Sequence, residues 1–225
     1  HQLTGATEKG RAYCMDAFEI ASGLGDAGLM SEAALTWGSA IVVARIDVEL
    51  IDALQQCLEA LPENDVAMRA RVLARLAGAM QPSQRPDEPM EMARKAISLA
   101  RELSDERVMY HVLHSAISAL MDFAPSVERI PLNEEFGRLA GRFGDVPGQF
   151  RSHLRLVIDA CEAGNRERMI KSIEDCSRLA QRIGLPHYQW RAASIRAMQA
   201  TIEGDFKRAN EQLNLAQAFA NQIDD

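Results

Sequence analysis

The run Phe136-Gly-Arg-Leu-Ala-Gly-Arg-Phe-Gly-Asp145 decides the fold, because close copies of it stand forty residues away on either side. Downstream it returns as Cys176-Ser-Arg-Leu-Ala-Gln-Arg-Ile-Gly-Leu185, and upstream it reads Ala96-Ile-Ser-Leu-Ala-Arg-Glu-Leu-Ser-Asp105. A looser copy, Ala17-Phe-Glu-Ile-Ala-Ser-Gly-Leu-Gly-Asp26, lies near the start. Leu99-Ala100, Leu139-Ala140, Leu179-Ala180 and Phe219-Ala220 mark the same forty-residue period. Self-similarity at a fixed interval of this size is the signature of a helical solenoid, in which each helix pair buries its apolar face only against its neighbours.

Within each phrase, apolar residues at i, i+3 and i+7 make one buried helix face, and Gly25, Gly144 and Gly184 suit the left-handed residue that closes a helix. Asp26, Asp65, Asp105 and Asp145 then stand where the next helix needs an N-cap. Each phrase is therefore a helix end, a turn and a helix start. A second helix per unit is expected over 66–80, 106–121, 146–163 and 186–203, the last two finishing at the turn dipeptides Gly164-Asn165 and Gly204-Asp205. An opening helix from about Thr7 to Leu24 and five hairpins ending near Ile223 give eleven helices and no strand. The expected architecture is all-α: a right-handed α-α superhelix, a solenoid of stacked hairpins.

One segment breaks the rhythm. In Gln81-Pro-Ser-Gln-Arg-Pro-Asp-Glu-Pro89 the three prolines rule out a continuous helix, and Pro89 suits the first position of the next one. The forty-residue spacing from Ala60 to Ala100 crosses this segment undisturbed, so 81–89 reads as an exposed loop inside a single solenoid domain covering 1–225.

Composition narrows the function classes. With 225 residues and 47% hydrophobic content the chain can bury a large core, and a net charge of −7 without basic runs gives no general attraction to nucleic acid. No uncharged apolar stretch approaches the roughly 20 residues that span a bilayer, and the start lacks a secretory pattern. Cys14, Cys57, Cys161 and Cys176 are widely spaced and form no CxxC, so reduced, mostly buried thiols of a cytoplasmic protein are expected. Because the chain begins with His1, it reads as a fragment of a longer polypeptide.

The last unit carries Gly204-Asp-Phe206-Lys-Arg-Ala209 with Leu213 and Ala216 downstream, which is similar to the second half of a tetratricopeptide repeat. Asp65-Val-Ala-Met-Arg-Ala-Arg-Val-Leu-Ala-Arg-Leu-Ala77 after Leu58-Glu-Ala-Leu-Pro62, and Leu185-Pro-His-Tyr-Gln-Trp190 followed by Arg196-Ala-Met198 and Glu203-Gly-Asp-Phe206, resemble the repeat region of large bacterial signalling and transcriptional regulators. In that family a P-loop ATPase module precedes the repeats and an output module lies elsewhere. The resemblance, from about residue 10 to 220, implies a sensor or scaffold arm without the catalytic parts. The residues agree: there is no GxxxxGK[ST], and Lys9, Lys95, Lys171 and Lys207 follow no glycine-rich loop.

The sharpest candidate site is a basic column at the same repeat position, Arg71, His111, Arg151 and Arg191. Equivalent positions in stacked hairpins form a ladder with rungs roughly 10 Å apart, and on the inner helices such a ladder lines the concave groove. Guanidinium groups there would grip carboxylates or a phosphorylated peptide. The commoner arrangement is a solvated face on which each arginine pairs with an acid of the adjoining helix. The neighbouring aromatic column Tyr110, Phe150 and Trp190 reads as core filling, whereas Tyr188, off that face, reads as an exposed ligand contact.

Other chemistry finds little footing. His111 and His114 share a helix face, but no third ligand for zinc stands at a matching position, and neither ExxH nor HExxH occurs. There is no GxSxG; Glu134 and Glu135 point about 100° apart on a helix and both read as solvent-facing; Cys161 and Cys176 fall in core patterns. No catalytic, cofactor or metal residues are expected. The reading is a non-catalytic scaffold or sensor whose partner is a protein, a peptide, an effector or a neighbouring domain of the same polypeptide. The alternatives are a stand-alone helical enzyme and a structural spacer or oligomerisation arm; the oligomeric state is open.

Overall fold

A short polar side chain begins most of the helices. Asp26, Asp47, Asp65, Asn165 and Asp205 each accept a hydrogen bond from the backbone N–H three residues on, and Asp105 accepts from both Arg107 N and Val108 N. These caps satisfy N–H groups that have no partner inside the helix. The preceding turn is closed by a left-handed residue at Gly25, Gly144, Gly164, Gly184 and Gly204, and by Ser104 in the phrase that lacks the glycine. Asp145 holds the N-cap position of its helix without a side-chain bond to the first turn, which carries Pro147.

The computed structural model describes residues 7–38 and 46–223. Over these the chain is all-helical, with eleven helices and no strand. They are α1 (Thr7–Leu24), α2 (Ala27–Trp37), α3 (Val48–Ala60), α4 (Val66–Ala79), α5 (Asp87–Leu103), α6 (Glu106–Leu120), α7 (Ser126–Arg142), α8 (Val146–Glu162), α9 (Arg166–Ile183), α10 (Pro186–Ile202) and α11 (Phe206–Ala220). No described helix is long and apolar enough to cross a membrane.

The chain gathers into two compact units, 1–124 and 125–225. In the first, α1 packs on α2, and α4 packs on both α2 and α6, so that α2, α4 and α6 form one layer. Helices α3 and α5 pack against α4 from the other layer. Phe18, Trp37, Leu50, Leu54 and Leu76 belong to one buried core cluster of that unit. In the second unit each helix packs on the next, α7 on α8 through to α10 on α11. Two clusters hold it together, Phe150 with Cys176, Ala180 and Ala192, and Val157 with Ala160, Met169 and Ile173.

The repeat is visible in burial. Ala100, Ala140 and Ala180 are at most 1% exposed, and Ala77, Ile117, Val157 and Ala197, again forty apart, are at most 3% exposed. Small and β-branched residues at these positions let helix backbones approach closely. A buried polar layer fixes the register of α7 on α8. Arg129 Nε lies 3.0 Å from Asp159 Oδ1, Asn133 Nδ2 donates to Asp159 Oδ2 at 2.6 Å, and Ser152 Oγ donates to the Asn133 carbonyl at 2.6 Å. Arg129 also pairs with Glu162.

Three sequence expectations are corrected. Helix α5 starts at Asp87, so the proline-rich loop ends at Pro86, and Pro89 is a buried residue of the first helical turn. A proline is tolerated at this third position because its missing N–H has no intrahelical acceptor anyway. Cys161 is exposed and Cys14 half-buried, leaving Cys57 and Cys176 as the core thiols. Glu134 is exposed, as expected, and pairs with Arg168 of α9, whereas Glu135, also expected to face solvent, is half-buried.

Candidate functional site

Arg71 and His111 come from α4 and α6, and the α2–α4–α6 layer brings them to one cleft of about 270 Å³. Helical periodicity places two more of its groups, since Arg75 follows Arg71 at i+4 and His114 follows His111 at i+3. Tyr110 forms part of the same wall, its ring edge-on to His111 at 5.1 Å and tilted against His114 at 6.4 Å. Glu32 of α2 closes the opposite side.

Arg71 binds Glu32 as a fork, with Nη1 donating to Oε1 at 2.7 Å and Nη2 to Oε2 at 3.2 Å. The pairing of a surface arginine with an acid of the adjoining helix is therefore realised at this rung. Its Nε is buried with no hydrogen-bond partner. Arg75 is almost fully buried and donates from Nε to the Gly38 carbonyl at 2.6 Å. Burial lowers its pKa to about 10, against a smaller opposing pull from Asp47, and it still carries its charge at neutral pH. Burial, followed by the positive charges of Arg71 and Arg107, depresses His111 below the ordinary histidine value and keeps the ring neutral. The described wall thus holds two guanidinium cations against one carboxylate, with two imidazoles and a phenol as hydrogen-bonding groups.

The other two basic positions lie in the second unit and have their own surroundings. Arg151 is half-buried, its guanidinium carbon 5.8 Å from the centre of the Phe136 ring. Arg191 is exposed, 6.0 Å from the Trp190 ring. The column thus brings Arg71 and His111 together, whereas Arg151 and Arg191 each lie beside an aromatic ring.

The aromatic expectation is reversed in part. Phe150 is core, 1% exposed, but Trp190 is 38% exposed and Tyr188 is half-buried, edge-on to Phe150 at 5.0 Å. Tyr188 lies on the same face of α10 as Ala192 and Ile195, at i, i+4 and i+7, and that face covers Phe150. Trp190 is turned about 200° from Tyr188 on the helix, and no described helix beyond α11 covers it in the way α10 covers Phe150. Tyr188 is thus a packing residue.

A second cavity, of about 580 Å³, lies in the second unit between α7 and α9 over α8. None of the expected ligand contacts Arg71, His111, Arg151, Arg191 and Tyr188 lines it. Its charges are already matched in part: Glu134 pairs with Arg168, and Asp175 pairs with Arg178 and lies 3.5 Å from His153 Nδ1. Burial is the largest influence on His153 and depresses its pKa, with Asp175 opposing.

Thiol chemistry has no support at the core cysteines. Burial pushes Cys176 up to about 12 and also raises Cys57, so neither forms a thiolate at neutral pH. Among the described residues no group of three His, Cys, Asp or Glu side chains could hold a metal ion. Arg75, Tyr110, His114 and Glu32 were not chosen from sequence as site residues. The i+4 and i+3 partners of Arg71 and His111 were legible there, but Glu32 falls outside the forty-residue register and only packing brings it in. No protein-family model matches the chain, and no curated protein matches it.

Proposed function

We propose that the chain is a non-catalytic helical-repeat binding module that holds an acidic protein or peptide segment, or an acidic stretch of a neighbouring domain, in the α2–α4–α6 cleft. The observation that carries this reading is the convergence of Arg71 and His111, forty residues apart in sequence, with Arg75 on one cleft with an excess of positive charge. The cleft is smaller than the roughly 300–1,000 Å³ that engulfs a drug-sized ligand, so its size suits a side chain or chain end inserted from a larger partner. Arg71 and His111 are the contacts, and Arg75 supplies charge from below. Such a module fits the scaffold or sensor arm of a cytoplasmic bacterial signalling or transcriptional regulator. The superhelical sense proposed is right-handed.

Selection of a displayed random-peptide library on the whole chain tests the reading. Enriched peptides are expected to carry Asp or Glu, to bind at least tenfold more weakly to Arg71→Ala, and to bind equally to Arg85→Ala, whose side chain is 86% exposed on the proline-rich loop. Enrichment without acidic residues, or binding indifferent to both Arg71→Ala and His111→Ala, would refute it.

A further inference from the structure

The cleft described above already contains a carboxylate. Glu32 occupies both outer nitrogens of Arg71, and in doing so it presents to the guanidinium fork the same group that an acidic ligand would bring. Its own hold is modest, since the Glu32 side chain is 50% exposed and reaches Arg71 from α2 across the cleft mouth. The Arg71 side chain is 21% exposed against 50% for Glu32, so the cation is the more enclosed partner and the anion is the movable member.

We infer that Glu32 is an internal competitor: the structure shows the cleft in a self-occupied state, and an incoming carboxylate displaces Glu32 from Arg71. This rests on the proposed function and adds how that site is regulated. With Glu32 displaced, Arg71 presents one open fork while Arg75 lies buried below it, and one fork satisfies both oxygens of a carboxylate but leaves the further oxygens of a phosphate unpaired. Displaced Glu32 turns to solvent, so any change that weakens its bond to Arg71 opens the site without altering the core. His111 reports the exchange, because both Arg71 and Glu32 act on its ring.

The test uses the whole chain and three probes followed by NMR titration of the His111 ring: the capped peptide acetyl-Gly-Glu-Gly-amide, its glutamine counterpart, and inorganic phosphate. Glu32→Gln is expected to bind the glutamate peptide three- to tenfold more tightly than the native chain, the glutamine peptide no better, and phosphate more weakly than the glutamate peptide. Arg71→Gln should abolish the glutamate response while circular dichroism reports unchanged helix content. Unchanged or weaker glutamate binding by Glu32→Gln, or no binding to that variant at all, overturns the competitor. If library peptides still need Arg71 in that case, the binding module stands and only its self-occupation is lost. Phosphate binding as tight as the peptide overturns the match to a single carboxylate.

Discussion

Replacing Gly137 by alanine should destabilise the second unit, although the same change in an ordinary exposed helix stabilises it. Alanine is favoured over glycine inside a helix by about 1 kcal/mol, and Gly137 lies well within α7. A Cβ at this position, however, would meet Ser152 Oγ at 2.5 Å and Ser152 Cβ at 3.1 Å. The hydroxyl can rotate away only by giving up its 2.6 Å bond to the Asn133 carbonyl inside a fully buried interface, and rotation does nothing for the Cβ contact. Overpacking of this kind costs about 1–3 kcal/mol, and a buried hydroxyl left without its partner costs about 1–3 kcal/mol more. Against the helix-propensity gain, the expected net loss is about 3 kcal/mol, within a range of roughly 1–5 kcal/mol. Urea unfolding followed by circular dichroism measures it. Gly141→Ala is the control, since its Cβ would meet only the Gln149 side chain at 3.8 Å, and it should be neutral or stabilising by a few tenths of a kcal/mol. Adding Ser152→Gly should relieve the clash, so that Gly137→Ala costs at least about 1 kcal/mol less in that background. A Gly137→Ala variant more stable than the native chain would mean that α7 and α8 do not approach as closely as described.

Phe150→Ala should cost about 3–5 kcal/mol, the usual loss for a buried phenylalanine, and Trp190→Ala well under half of that, because the indole is partly in solvent; equal losses in a denaturant series would contradict the packing of Tyr188 on Phe150. Asp105→Ala removes the acceptor of two first-turn N–H groups of α6 and should lower stability by about 1 kcal/mol, with hydrogen exchange accelerated first at Arg107 and Val108. Stability should also fall on acidification. Burial lowers the pKa of His111, His153 and His187, so the unfolded chain takes up protons near pH 6.5 that the folded chain accepts only at lower pH. That contribution is complete above about pH 6.5 and is lost as pH drops toward the folded-state values; His111→Gln should flatten part of the slope of the urea midpoint against pH.

Helix positions were legible because the forces that set them are local. Asp26, Asp65 and Asp105 cap the next few residues, and a left-handed turn residue needs no distant partner. Pro131 shows the limit of such rules. It lies inside α7, where a proline ordinarily breaks a helix, yet the helix continues; the carbonyl it leaves without an intrahelical donor belongs to Val127, a residue 78% exposed to water. The forty-residue column found Arg71 and His111 because repeat register carries over from one hairpin to the next, but it treated Tyr110, Phe150 and Trp190 as equivalent.

From the order of residues alone came the all-helical class, the opening helix, the turns and two of the groups at the cleft, all consequences of periodicity and of contacts a few residues long. Tertiary packing set the rest: that Glu32 sits on Arg71, that Arg75 is buried beneath the cleft, and that Tyr188 is covered while Trp190 is not. Each of these depends on which helix face lies against which neighbour, and a side chain that reaches across from another helix leaves no trace in the spacing of its own.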